Sequence, residues 1–260
     1  MLVDSHCHLD RLDLTLHENS LDKALDAAKQ QGVSYFLCVC IDMENYQNVI
    51  EIAERYANVS ASVGLHPTEV VTDEPTLEEL IAHGQHPKVI AVGETGLDYY
   101  RDNTDHALQQ ARFRCHIRAA KALNKPLIVH SRSAREDTIR ILQEEKADEI
   151  GGVLHCFTED WNMAEKAIAI NFFISFSGIV TFQNAASLKE VAKQVPIEHM
   201  LIETDSPYLA PMPHRGKPNE PAYVRYVAEE IAKLKNISFA EVAQKTTENF
   251  FKLFSMNQKP

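Results

Sequence analysis

Short apolar runs alternate with longer stretches of helical periodicity from one end of the chain to the other. The runs LVDSH (2–6), YFLCV (35–39), SASVGLH (60–66), VIAVGE (89–94), PLIVH (126–130), GVLHCF (152–157), FFISFSG (172–178) and MLIETD (200–205) read as eight strands. Between them, residues 104–123 carry Leu108, Ala111, Cys115, Ala119 and Ala122 at three- and four-residue intervals, which marks one apolar face of a helix. Similar patterns predict helices over 20–31, 43–57, 134–145, 159–170 and 184–194. After the last strand, Val224, Val227, Ile231 and Leu234 form another stripe, and Ser238 with Glu241 reads as a capping box opening a final helix.

Apolar strands that are each followed by a helix belong in a parallel sheet covered by helices. Eight such units within 260 residues, uninterrupted by a linker, predict an α/β fold of the (β/α)8 TIM-barrel type. Its strands are parallel, its helices lie outside, and one domain spans residues 1–260. An open doubly wound sheet is the alternative architecture. The Pro-dense stretch SPYLAPMPHRGKPNEP (206–221) follows the eighth strand directly and reads as a long functional loop.

Composition narrows the context. At 45% hydrophobic residues the chain can bury a full core. It has no apolar run of about 18 residues and no basic, apolar leader, so the expectation is a soluble cytoplasmic protein without a membrane partner. The five cysteines, Cys7, Cys38, Cys40, Cys115 and Cys156, read as reduced thiols, with Cys38 and Cys40 packed on the inward face of a strand. A net charge of -11 repels polyanions at long range, so any nucleic-acid contact must be local and assisted by cations. The apolar helix faces are used up by barrel packing, so they do not tell the oligomeric state, and the default expectation is a monomer with no obligate protein partner.

Candidate chemistry collects where such barrels place their active sites, at the C-terminal ends of the strands. His6 and His8 end the first strand, His66 the third, Glu94 the fourth, His130 the fifth, His155 the sixth, and Glu203 and Asp205 the eighth. One histidine at a strand end is ordinarily structural; several at equivalent ends converge on one small volume. Alternation along a strand turns His6 and His8 to the same side and Cys7 away from them. Six ligands exceed what one catalytic ion takes while keeping a position open for water, so the spacing predicts two divalent cations. One is held by His6, His8, Glu94 and Asp205, the other by Glu94, His130 and His155, with Glu94 as the bridge. Imidazole-rich ligation favours Zn, Mn, Fe or Ni over Mg.

The segments DSHCHL, GLHP, GETGLDY, PLIVHSR, LHCF, ISFSG and ETDSPYL, with NEPAYV and TTENFFKLF beyond them, resemble in order and spacing the TatD family of metal-dependent hydrolases, within the amidohydrolase-like barrels. The likeness covers essentially the whole chain and is strongest to members that keep His-x-His. It implies a (β/α)8 barrel with a two-metal site that hydrolyses phosphodiester bonds, in several members as a 3′ to 5′ exodeoxyribonuclease, usually described as Mg-dependent. It also carries over His6, His8, Glu94, His130, His155 and Asp205 as metal ligands. Single-stranded DNA, or another nucleic-acid 3′ end, is the substrate this implies.

On that reading two cations acidify a shared water, with Asp205 orienting it and taking its proton. His66 and Arg132 at the rim would bind phosphate, Arg132 through its fork; the alternatives are a structural hydrogen bond for His66 and a salt bridge for Arg132. Tyr208, His214, Arg215 and Lys217 in the rim loop suit a terminal base and its phosphate, or form a solvated turn. Glu203 reads as a residue behind a ligand histidine, or as a partner of Arg132. Two rival functions remain. One is an amidohydrolase-type cleavage of a C–N or ester bond, including D-aminoacyl-tRNA deacylation, against which the fourth strand offers Glu94 and no lysine. The other is a metal-stabilised scaffold without catalysis.

Overall fold

A computed structural model describes residues 1–101 and 105–255. Its eight strands are β1 (Leu2–Cys7), β2 (Val33–Cys38), β3 (Val59–Val63), β4 (Val89–Asp98), β5 (Leu127–Arg132), β6 (Gly152–Leu154), β7 (Phe172–Phe176) and β8 (Met200–Ile202). They form one sheet in sequence order, and every neighbouring pair from β1–β2 to β7–β8 is parallel. Around them lie α1 (Leu21–Gln30), α2 (Tyr46–Arg55), α3 (Leu77–Gly84), α4 (His106–Leu123), α5 (Arg135–Glu144), α6 (Trp161–Ala169), α7 (Ala186–Gln194), α8 (Val224–Lys235) and α9 (Phe239–Leu253).

The sheet closes on itself through side chains as much as backbone. At the seam between β8 and β1, Asp205 N donates to His6 O at 2.9 Å and His8 N to Ser206 O at 2.8 Å. Buried Asp4 accepts from Thr204 N at 2.8 Å and from Thr204 Oγ1 at 2.5 Å, and Ser5 Oγ donates to Ile202 O at 3.0 Å. These links draw the two edge strands together and make the architecture a nearly closed (β/α)8 TIM barrel, not the open sheet.

Two apolar clusters divide the core. The inner one gathers Val3, Leu37, Ala91, Ile128, Val153, Phe173 and Leu201, one from most strands, together with Phe250, Phe251 and Phe254 of α9. Because α9 also ties to the start of β8, through Asn249 Nδ2 donating to Ile197 O and Met200 O, its phenylalanines plug the barrel's N-terminal end. The opposite end is left for chemistry. The outer cluster lies between strands and helices and includes Cys7, Cys38 and Cys40. Those two β2-side thiols are therefore packed as expected but on the helix side, not inward.

Several boundaries differ from the sequence reading. β3, β6 and β8 stop at Val63, Leu154 and Ile202, so His66, His155, Glu203 and Asp205 stand just past the strands, where the backbone leaves the ladder. Helix α3 is missing from the sequence reading because it has only eight residues, yet it carries a complete capping box, Thr76 with Glu79. At α9 only the Ser238 half of the expected box forms, its side chain accepting from Glu241 N. The predicted start of the fourth helix at residue 104 lies outside the described residues. Its predicted apolar face is partly corrected: Ala119 is buried and Cys115 half-buried, but Leu108, Ala111 and Ala122 are exposed, and the buried face otherwise runs through Gln109, Arg112, Phe113, His116, Ile117 and Ala120. Three of those six are polar, and each is buried because it holds a backbone group next to the mouth.

Candidate metal centre

Two departures from regular pairing aim the site residues inward. In β1, Val3 belongs to the inner cluster and Cys7 to the outer one, with an irregularity in the β1–β2 register between Asp4 and Cys7. Regular alternation from Val3 would have turned His6 outward; the irregularity brings His6 and His8 to the inner face. In β4 the register against β5 shifts between Val92 and Thr95, which does the same for Glu94. The glycines of GETG permit the close approach of these strands. Gly96 has φ 133°, and a β-carbon there would stand 2.0 Å from His130 O.

The first group of donors surrounds His6 Nε2. It lies 3.3 Å from Glu94 Oε2, 3.3 Å from His8 Nε2 and 3.7 Å from Asp205 Oδ1, while His8 Nε2 is 3.4 Å from Asp205 Oδ1. Val39 O can only accept, so His8 Nδ1, 3.0 Å away, carries that ring's hydrogen, and its Nε2 turns a lone pair toward the group. These residues fit a cation: donors on a tetrahedron with bonds of about 2.1 Å stand about 3.4 Å apart. His6 Nδ1 is buried and without a hydrogen-bond partner among the described residues.

The second group surrounds the other oxygen of the same carboxylate. Glu94 Oε1 lies 2.7 Å from His155 Nε2, 3.2 Å from His130 Nδ1 and 3.3 Å from His66 Nε2. Behind His155, Glu203 Oε1 stands 3.3 Å from Nδ1 and also accepts from Cys156 N at 2.7 Å. Glu203 therefore backs a histidine, and Arg132 is not its partner. His66 is held from behind by Thr68, whose Oγ1 lies 2.7 Å and whose N lies 3.2 Å from Nδ1, and this turns its Nε2 toward the site.

Charge follows the same geometry. Burial opposes ionisation of Glu94, but the imidazoles of His155, His66 and His130 that face its oxygens outweigh it and hold the carboxyl well below its usual range. Burial likewise works against charged Asp205, and the imidazoles of His8, His6 and His155 close to it overcome that and lower its pKa. Both residues are thus carboxylates at neutral pH, as cation binding requires.

The six residues read from the spacing as ligands lie together at this mouth, with His66 beside them. Three sets, His6–His8–Asp205, His66–Glu94–His130 and His6–His155–Glu203, bring donor atoms close enough to share an ion. Of the expected substrate-side residues, Tyr208 reaches the mouth, its ring 5.9 Å from that of His8. Arg132 lies over the Tyr100 ring at 3.9 Å. Farther along the rim loop, His214 stacks on Tyr223 at 4.1 Å, Arg215 covers Phe182 at 4.3 Å, and Lys217 is exposed. Asp98, whose Oδ2 is 3.0 Å from His130 Nε2, is absent from the sequence reading. Its signal was the even spacing from Glu94 through Gly96 to Asp98, which places all three on one face of the strand.

Imidazoles and carboxylates gathered at the strand-end mouth of a (β/α)8 barrel define a class, the metal-dependent barrel hydrolases. Residues 3–255 match the family described as TatD related DNase, and the chain belongs to that family. It is 48% identical over 256 residues to the uncharacterized metal-dependent hydrolase YcfH of Escherichia coli strain K12, covering 98% of this chain and 96% of the relative. To the uncharacterized metal-dependent hydrolase YabD of Bacillus subtilis strain 168 it is 42% identical over 261 residues, covering 99% and 100%. Among solved structures, the TatD homolog YjjV from Escherichia coli K12 superposes with a TM-score of 0.91 at 28% identity, covering 98% of each chain. The protein is a metal-dependent hydrolase of this family. No helix among the described residues is long and apolar enough to cross a membrane.

Proposed function

We propose that the chain is a two-metal phosphodiesterase that removes nucleotides from the 3′ ends of single-stranded DNA. The observation that carries the reading is the divided carboxylate of Glu94, one oxygen facing His6 and the other facing His130 and His155. His6, His8, Glu94 and Asp205 would hold one divalent cation, and Glu94, His130 and His155 a second. When bound, such a pair supplies Lewis acidity to a water and to a phosphoryl oxygen.

The chain's own residues do the rest. Asp205 is the more exposed carboxylate of the first group, 13% against 4% for Glu94; it orients the attacking water and accepts its proton. The Nε2–H of His66 donates to a phosphoryl oxygen. Arg132, pre-oriented on the face of Tyr100, offers its N–H edge to the next phosphate. Tyr208 stacks a terminal base. This local arrangement lets an acidic protein hold a polyanion without a basic surface.

The test is incubation of Mg- or Mn-loaded protein with 5′-labelled single-stranded DNA, a dihydropyrimidine and a D-aminoacyl ester in parallel. Stepwise shortening of the DNA from its 3′ end is the expected result. Turnover of the cyclic amide or the ester with intact DNA would overturn it.

A further inference from the structure

Helix α4 turns an amide into its core-facing side. Gln109 is fully buried, one helical turn before Phe113 and two before Ile117, a position where an apolar side chain would ordinarily sit. Its Oε1 accepts from Asp98 N at 2.8 Å and its Nε2 donates to Asp98 O at 3.0 Å. The side-chain amide thus clasps the last residue of β4 as a neighbouring strand would.

The carboxylate of Asp98 is fixed as firmly as its backbone. Oδ1 accepts from Tyr100 N at 3.0 Å and Arg101 N at 3.1 Å. That leaves Oδ2 for His130 Nε2, 3.0 Å away, on the side of the ring opposite to Glu94. A carboxylate accepts but cannot donate, so this contact selects the ring form with its hydrogen on Nε2 and its lone pair on Nδ1.

We infer that Asp98, clasped by Gln109 of α4, is the positioning residue that fixes His130 with Nδ1 toward the metal site and raises its strength as a ligand. The inference rests on the reading that His130 holds a metal. It explains why a buried glutamine interrupts an apolar helix face, and it makes α4 part of the site without touching it. Carboxylates behind ligand histidines orient the ring and increase its basicity, and losing one ordinarily weakens metal binding about 10- to 100-fold.

Two measurements test it, neither needing a substrate. In the Zn-loaded full chain, long-range 15N–1H correlation of the histidine rings should show His130 protonated at Nε2 with Nδ1 bound; a ring bound through Nε2 overturns the inference. Zn affinity, read by competition with a chromophoric chelator, should fall about 10- to 100-fold in Asp98→Asn and by less, in the same direction, in Gln109→Leu. Unchanged affinity in a folded Asp98→Asn protein also overturns it. Should that variant fail to fold, the ring measurement on the unaltered protein decides alone. A chain that binds Zn in this way but leaves DNA intact refutes the proposed reaction and leaves this inference standing.

Discussion

The carbonyl oxygen of His130 lies 2.0 Å from the point where a β-carbon on Gly96 would stand. Strands β4 and β5 are therefore in contact at a place that no other residue could occupy, and that contact carries Glu94 and His130 to within 3.2 Å. Gly96→Ala should push the strands apart, at a cost of at least about 2 kcal/mol from the clash and from the backbone's φ of 133°. Chemical denaturation would measure the loss, and chelator competition should show weaker metal binding in whatever fraction stays folded. A variant as stable and as metal-avid as the original would contradict the close-packing account.

Glu94 serves both donor groups, so its removal should affect both. Glu94→Ala is expected to abolish metal uptake at the pair and activity with it. Elemental analysis of protein purified without chelator, alongside an activity assay, checks this. An active variant would sink the bridging role.

His116, which holds the backbone just before His66, provides a pH dependence of the fold. Its Nε2 accepts from Leu65 N at 3.1 Å and its Nδ1 donates to Arg112 O at 2.9 Å, an arrangement only the neutral ring can make. Burial pushes its pKa down from 6.5 to about 4. The unfolded chain therefore binds the proton more readily, and the ring's stabilisation is complete above pH 6.5 and is lost as pH falls toward 4. The amount is on the order of 3 kcal/mol. Urea unfolding of the original and of His116→Gln across this range should give curves whose gap narrows on acidification. A widening gap would refute the neutral, buried ring.

At the opposite end of the barrel, Phe250 is fully buried against Phe254, with ring centroids 4.7 Å apart. Phe250→Ala should cost about 3–5 kcal/mol by opening the plug while leaving metal affinity of the folded protein intact. Calorimetry and metal titration together separate the two effects. Loss of metal binding in the folded variant would mean the two ends are not independent.

The barrel seam predicts a further loss. Thr204→Val would strip Asp4 of its 2.5 Å hydroxyl partner and leave a buried carboxyl oxygen short of a bond, a cost of about 1–3 kcal/mol. Melting temperature reports it.

Much of this site was legible in the sequence because strand ends that carry imidazole and carboxylate are rare in apolar runs. His6, His8, Glu94, His130, His155 and Asp205 could thus be gathered before any coordinates. The residues that orient them were harder to read. Gln109, Arg112 and His116 look like the solvated face of α4 to any rule that equates polar with exposed, and so its buried side was assigned to Leu108 and Ala111 instead. Their partners are backbone groups of Asp98, His66 and Leu65, and for Arg112 also the Glu74 carboxylate, which no periodicity reveals. The inward turn of His6 and Glu94 also depends on register shifts that strict alternation does not contain. Short α3 escaped notice because eight residues give a periodic signal little room.

On the proposed reading, Glu94 joins two cation positions at the barrel mouth. Crystals grown with Mn and measured for anomalous scattering test it most directly. Two peaks should flank the Glu94 carboxylate, one beside His6, His8 and Asp205 and the other beside His130 and His155. A single peak, or peaks away from Glu94, would contradict the account.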